Sequence, residues 1–402
     1  RRAGDVSSPT IRPAWPKKRP PMKPFDFQTA TRLVFGPGRL EELGELAAGL
    51  GARRAMVVSD PGIVKCGHVE RGLASLHRAG LTTMVFDGVV ENPTTDNVDQ
   101  GVAAARDFQP DLLIGLGGGS SMDCAKGINF VYTNGGQMRD YWGVGKAREP
   151  MLPMIAVPTT AGTGSEAQSF ALISDAQTHV KMACGDKKAA CRIALLDPQL
   201  TVTQPPQVTA LTGIDAVAHA LETYVTRPRN PVSLLFSREA WKLLEANFPR
   251  VLDDPNDLEA RGAMQLGAFF AGLAIENSML GAAHALANPL TQHYNVVHGQ
   301  AVALMLPHVI RFNGVEVGRL YAELLPSANG AARSPDAASS ELADRVSQLV
   351  AKAGLALRLR DLGVAADRLR VLAVDAAKQW TGGFNPRPVG EEELYQLYEA
   401  AM

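Results

Sequence analysis

The sequence predicts an α/β fold in two parts, a domain on a parallel sheet followed by an all-helical domain. Three observations carry that expectation. Short apolar runs alternate with helical stretches from Arg53 to about Gln204. A glycine-rich turn follows directly on one of those runs at Gly117-Gly118-Gly119. After Pro205-Pro206 the strand-like runs become rare, and Ala, Leu, Glu and Arg dominate. With 402 residues the chain also exceeds one ordinary core.

In chain order, Ala55–Val58 reads as a buried strand, Leu73–Ala79 as part of a helix and Thr83–Phe86 as a second strand. A helix around Val98–Phe108 leads to a strand at Asp111–Ile114, and further strands follow at Met154–Val157 and Ile193–Leu196. Strands that alternate with helices argue for a parallel sheet covered on both faces. Beyond the boundary, Ser233–Asn247, Leu258–Ala271 and Ser340–Ala353 carry apolar residues at helical spacing. Pro326–Ala338, rich in Ala, Ser and Gly, reads as a surface loop. The expected division is 1–21, a disordered tail or appended leader; 22–205, an α/β domain; and 206–402, a helical domain. Residues before Met22 are rich in Arg, Lys and Pro without an apolar core, which excludes a secretory signal. A short transit peptide is the alternative there, opposed by the prolines.

Composition removes several function classes. Net charge is −1, so nothing global draws the chain to nucleic acid or to an anionic membrane. No run of eighteen apolar residues occurs, so no transmembrane helix is expected. The four cysteines form no C-x-x-C pair, which fits a reducing, cytoplasmic location and no thiolate zinc site.

Two constellations carry chemistry. Ile114 to Asp123 joins a strand to a helix through consecutive glycines. Such a turn lets the backbone approach a phosphate, and the helix N-terminus offers N–H groups to it. The spacing is a variant of G-x-G-x-x-G, and a plain structural turn has about even odds from the glycines alone. Asp60 closes the first strand; it suits a ribose 2′-OH and repels a 2′-phosphate, or it simply forms the turn before Pro61-Gly62. Pro158 to Glu166 follows another strand end, where its hydroxyls serve a cofactor, a helix cap or both. In the second half, Asp215 and His219 lie four apart on one helix face, and His284 and His298 stand among small or apolar neighbours. One carboxylate and three imidazoles suit a divalent transition ion such as Fe(II) or Zn(II). Any one of these histidines alone is more often an ordinary polar residue; the set shifts the odds.

These motifs, with Asp123, Lys126 and the C-terminal Asn385-Pro386-Arg387, identify a resemblance to the iron-containing (group III) alcohol dehydrogenases from about Phe27 to the C-terminus. The resemblance implies a Rossmann-like domain and a helical domain in the dehydroquinate synthase-like architecture, with the site between them. It implies metal ligands at Asp215, His219, His284 and His298. It implies cofactor contacts at Asp60, Asn92, Gly118, Gly119, Ser120, Asp123, Thr159, Thr160, Thr163, Leu172, Lys181 and Leu200. NAD is expected ahead of NADP, with a small alcohol or carbonyl substrate and a homodimer. One departure concerns the residue four after the third ligand, often a histidine in the family. Here it is Asn288, the candidate catalytic residue, which can hydrogen-bond but cannot exchange a proton near neutral pH. A second is Trp380 to Phe384, aromatics that either narrow the substrate pocket or pack the helical core. The alternatives carried forward are a hydroxyacid–oxoacid transhydrogenase or maleylacetate-type reductase and, in another class, a non-catalytic dinucleotide-binding protein with a structural metal.

Overall fold

A computed structural model describes residues 24–29, 31–178, 180–326 and 333–402. The leader expected at 1–21 lies outside the described residues. In the first half run β1 (Arg32–Phe35), α1 (Leu43–Gly49), β2 (Arg54–Val58), α2 (Pro61–Lys65), α3 (His68–Arg78), β3 (Thr82–Phe86), α4 (Thr95–Phe108), β4 (Leu112–Gly117) and α5 (Gly119–Asn134). Then come β5 (Gly143–Val144), β6 (Met154–Pro158), β7 (Phe170–Ser174), β8 (Lys181–Gly185) and β9 (Ile193–Leu196). The main sheet has the order β1-β9-β6-β4-β2-β3 and every pairing in it is parallel. Its central strands are buried along their whole length: all six residues of β4 and all five of β6. Continuous apolar runs fit a sheet covered by helices on both faces.

The order fixes where a ligand sits. From β2 the chain moves outward to β3, whereas from β4 it moves the other way to β6. The loops after β2 and β4 therefore diverge and leave a crevice beyond the carboxyl ends of those strands, the usual ligand position in open α/β sheets. Asp60 follows β2, and Gly118 follows β4.

From Pro206 onward the described residues are helical: α6 (Pro206–Val225), α7 (Pro231–Asp253), α8 (Leu258–Glu276), α9 (Ala282–Tyr294), α10 (His298–Leu324), α11 (Pro335–Lys352), α12 (Leu369–Ala377) and α13 (Glu391–Ala400). Helix α6 is the centre of this half. All its residues from Gly213 to Val225 are buried, and α7, α8 and α10 pack around it. The observed architecture is the expected one, a parallel six-stranded domain followed by a helical domain.

Two local readings need correction. The surface loop expected over Pro326–Ala338 is shorter than that, because α11 begins inside it at Pro335. Ser334 caps this helix by accepting from the Ala337 amide, and Pro335 takes the first helical position, where a missing N–H does no harm. The hairpin of β7 and β8 was not foreseen. It pairs antiparallel, with Leu172 opposite Ala183 and Ser174 opposite Lys181. Its turn is built by Asp175, whose Oδ1 accepts from the amides of Gln177 and Thr178. Phe170-Ala171-Leu172-Ile173 ahead of that aspartate was the available signal.

Candidate metal centre and dinucleotide cleft

Three helices bring four side chains to one point. Asp215 and His219 project from one face of α6, His284 is the third residue of α9, and His298 opens α10. Asp215 Oδ1 lies 3.4 Å from His219 Nε2, 3.5 Å from His284 Nε2 and 3.8 Å from His298 Nε2. Donor atoms of Asp215, His284 and His298 all lie within 4.8 Å of one another. The His219 and His284 rings stack at 5.0 Å between centroids, and His284 and His298 meet at 5.3 Å. Asp215, His219 and His284 are buried, while His298 is the part-exposed member. The local sequence permits this packing. A Cβ on Gly299 would lie 2.3 Å from the Leu211 carbonyl oxygen, so only glycine lets the start of α10 rest against α6.

The donor set fits a cation better than it fits itself. Asp215 Oδ1 and His284 Nε2 are fully buried and make no hydrogen bond, although they face each other across a short gap. Buried polar atoms are nearly always paired, so two such orphans at one point call for a group to satisfy them. Charge points the same way. Burial alone raises the Asp215 carboxyl, but His219, His284 and His298 outweigh it and hold the group well below the usual carboxylate range. His298 is pushed down to about 3 by burial, against the pull of Asp215. His284 is raised to about 9, because Glu222 and Asp215 overcome its burial. Nitrogen and carboxylate donors in this number suit Fe(II) or Zn(II).

Glu222 was missed at the level of sequence. It lies seven residues after Asp215 and three after His219 on α6, so helical spacing puts it on the same face. Its Oε2 meets His284 Nδ1 at 2.5 Å, and its Oε1 accepts from the Ala283 amide at 2.7 Å.

On the sheet side, the glycine turn is shaped by its neighbours. Gly117 has φ of +153°, and a Cβ there would meet Ser121 Oγ at 2.4 Å. A Cβ on Gly119 would lie 2.6 Å from Thr163 Cγ2. The structural-turn reading thus has a physical basis, and the cradle remains as well. Gly118 caps α5 without a side chain, which leaves the Gly119 and Ser120 N–H groups available to an anion, while the Ser121 N–H donates to the Gly118 carbonyl at 3.1 Å. Around this turn the structure gathers most of the expected cofactor residues. Asn92, in the left-handed region at φ +54°, takes Ser120 Oγ at 3.3 Å through its amide, and its Oδ1 accepts from Lys181 Nζ at 3.3 Å. Thr160 lies beside Gly118, and the Thr159 amide donates to the Gly117 carbonyl at 2.9 Å. The Thr159 hydroxyl is buried without a partner. Asp123 accepts from Ser165 Oγ at 2.6 Å; burial raises its carboxyl, with Lys126 and Ser165 pulling the other way. Leu172 is exposed on β7, but Leu200 is fully buried in the apolar layer formed with Leu40, Leu43 and Ile155. Asp60 has the turn-forming role considered for it, and it also stands next to the glycine turn. Its Oδ1 caps α2 by accepting from Gly62 and Ile63, while Oδ2 lies 3.5 Å from Ser121 Oγ beside the glycine turn.

The two sites adjoin through one loop, Pro158 to Glu166. Gly162 packs on α6, where a Cβ would stand 2.8 Å from the Thr212 carbonyl oxygen. Gly164 packs on α8, 2.8 Å from the Ala268 carbonyl oxygen by the same measure. Thr212 is one turn ahead of Asp215, so this loop rests on the helix that carries two of the four donors.

Asn288 sits one turn beyond His284, half-buried, and donates its amide to Gln379 Oε1 at 2.9 Å. His293 faces away and pairs with Asp375 at 2.8 Å. Trp380 is 49 % exposed and meets Phe384 edge-on at 5.7 Å, so it does not pack the helical core. The turn that carries it lies on α9, with Gly382 close to Ala285.

Comparison with known proteins agrees with this layout. Residues 30–198 match the family model described as iron-containing alcohol dehydrogenase, and residues 209–402 match the C-terminal model of the Fe-containing alcohol dehydrogenase family. Alcohol dehydrogenase 4 of Schizosaccharomyces pombe is 37 % identical over 369 residues, spanning 92 % of this chain and 87 % of that protein. The 1,3-propanediol dehydrogenase of Klebsiella pneumoniae is 34 % identical, spanning 94 % and 99 %. A solved 1,3-propanediol oxidoreductase superposes with a TM-score of 0.91 at 33 % identity, over 94 % of this chain and all of that one.

Proposed function

The chain belongs to the iron-containing alcohol dehydrogenase family, and from that premise we propose that it is a metal-dependent oxidoreductase passing hydride between NAD and a small alcohol, aldehyde or ketone. The observation that carries the reading is the orphaned Asp215 oxygen facing three imidazole nitrogens. Asp215, His219, His284 and His298 are the residues that would hold Fe(II), or Zn(II) where zinc is the available ion. When bound, the ion supplies Lewis acidity toward a hydroxyl or carbonyl oxygen, and the nicotinamide carries the hydride.

The chain's own residues do the rest. The bare first turn of α5, with Gly118, Gly119 and Ser120, offers main-chain donors for a pyrophosphate. Asn92 and Lys181 brace Ser120 from the side. The Pro158–Glu166 loop sets the distance between cofactor and donors by packing on α6 and α8. Asn288 can accept a hydrogen bond through its remaining carbonyl oxygen, but it relays no proton. Trp380, exposed beside α9, is an aromatic wall for the carbon chain of a substrate. The test is direct. Protein loaded anaerobically with Fe(II) or Zn(II) is expected to reduce NAD with short primary alcohols, seen as nicotinamide absorbance. Chelation is expected to stop this and re-addition of either ion to restore it. Undiminished activity after complete metal removal contradicts the reading.

Preference for NAD over NADP is proposed to rest on Asp60. Asp60→Asn keeps the cap on α2, because Asn and Asp serve equally well at that position. It removes the negative charge that would oppose a 2′-phosphate. The kcat/KM ratio of NADP to NAD is expected to rise by about 10- to 100-fold, the worth of a charge-assisted hydrogen bond together with the lost repulsion. An unchanged ratio removes Asp60 from coenzyme choice.

Two finer points belong to the same proposal. All four cysteines are unpaired, which supports a cytoplasmic location. No helix among the described residues is long and apolar enough to cross a membrane. Strand β1 ends the sheet, and the exposed Phe27 meets Phe236 of α7, which stacks on Phe270 of α8; an open edge and an aromatic patch support a homodimer.

A further inference from the structure

The structure assigns Glu222 as the positioning residue of the metal centre: it holds His284 in the tautomer and orientation that present Nε2 to the ion. The inference rests on the reading of Asp215, His219, His284 and His298 as an ion site.

Imidazole has two nitrogens, and a neutral ring carries one proton between them. Whichever nitrogen keeps the proton cannot bind a cation. At His284 the choice is made by a carboxylate that is itself buried and accepts only. Glu222 Oε2 stands 2.5 Å from Nδ1, so Nδ1 retains its proton and Nε2 is the nitrogen left to face an ion. That Nε2 is the buried atom with no hydrogen bond, 3.5 Å from Asp215 Oδ1. The second Glu222 oxygen fixes the main chain under the ring, accepting from the Ala283 amide at 2.7 Å. One carboxylate therefore restrains both the proton on His284 and the backbone next to it.

The carboxylate is in turn hemmed in. A Cβ on Gly281 would lie 3.1 Å from Glu222 Oε1 and 3.1 Å from Asn385 Oδ1, so α9 starts in a slot between the two. Asn385 Oδ1 accepts from the Ala282 amide at 3.3 Å and from Asn313 at 3.0 Å, and its amide returns to Asn313 Oδ1 at 2.7 Å. This gives the Asn385-Pro386-Arg387 motif a physical task. Through Asn385 it holds the start of α9 against α10.

Glu222→Gln separates the two functions of the side chain. An amide of the same size can accept from Ala283 or from His284, but its NH2 end then faces the other donor. If the NH2 faces Nδ1, the proton moves to Nε2 and that nitrogen ceases to be a ligand. The experiment titrates the stripped full-length protein with Co(II) alone and records affinity and the visible ligand-field bands. The forms compared are wild type, Glu222→Gln, His284→Ala and the double variant. Glu222→Gln is expected to weaken Co(II) binding by about 10- to 100-fold and to alter the bands. In the His284→Ala background the same change is expected to have no further effect, because the residue acts through the ring that is gone. NADH binding, followed by its fluorescence, reports that each variant is folded. If Glu222→Gln does not fold, Glu222→Asp carries the same cycle; it keeps the charge but falls one methylene short of Nδ1, and a smaller loss is expected, again only when His284 is present. Wild-type affinity and bands in the Gln variant overturn the inference, as does an equal loss with and without His284. Equal Co(II) affinity in wild type and His284→Ala instead removes the ion-site reading itself.

Discussion

His284→Ala is expected to lower metal-dependent turnover of an alcohol by about a thousandfold or more, while NADH still binds. The first part follows from what a Lewis acid is worth at a developing alkoxide, several kcal/mol, with each 1.36 kcal/mol a factor of ten in rate. The second follows from separation. His284 stands on α9, whereas the glycine turn and its partners stand on the sheet and its loops. Ala282, Ala283 and Ala285 already line the start of the helix in buried positions, but alanine leaves the buried Glu222 carboxylate without its imidazole partner, so the NADH titration also reports that the variant is folded. Steady-state rates with Fe(II) or Zn(II) supplied in excess, set beside NADH fluorescence titration, check both parts. Full turnover in the variant contradicts the proposed seat of the chemistry.

Lys126→Met is expected to destabilise the protein by about 3–5 kcal/mol, the usual loss when one partner of a buried ionic cluster is removed. Lys126 is completely buried beneath the glycine turn. Its ammonium donates to the Ser165 carbonyl at 2.6 Å, to Ser165 Oγ at 2.8 Å and to the Phe170 carbonyl at 2.9 Å. The same Ser165 hydroxyl donates to Asp123 at 2.6 Å. Methionine fills the space but answers none of these acceptors, and Asp123 loses the nearest positive charge. Glu166, whose carboxyl burial raises to about 7, loses it too. Urea unfolding of the two proteins at one pH measures the difference. Since Ser165 belongs to the Pro158–Glu166 loop, which packs on α6 and is proposed to set the cofactor in place, weaker NADH binding is expected alongside. An unfolding midpoint equal to wild type would show that the acceptors have found other donors.

Much of this could be read from the chain because the relevant signals are local. Apolar runs such as Leu112–Ile114 and Met154–Val157 announce buried strands by composition alone. The i, i+4 spacing of Asp215 and His219 places both on one helix face with no tertiary information. What spacing does not carry is the meeting of α6, α9 and α10. That depends on glycines whose value lies in a neighbour distant in sequence, such as Gly299 against Leu211. The hairpin of β7 and β8 escaped notice for a related reason. Its strands are short, and it lies outside the main sheet in a small sheet with β5. Asp60 resisted a single reading because its two oxygens serve different partners, which one residue letter cannot express. Glu222 escaped because a carboxylate inside an amphipathic helix ordinarily faces water, whereas this one is buried against His284.

The glycine seam between the Pro158–Glu166 loop and helices α6 and α8 has a genetic corollary. A methyl added at Gly162 presses on Thr212, and one turn further along stands Asp215. Injury to this loop is thus expected to show as a defect in ion retention. A random screen for mutants that lose their metal should return hits in the nucleotide-binding half as well as among the four donors, and those hits should cluster at Gly162 and Gly164.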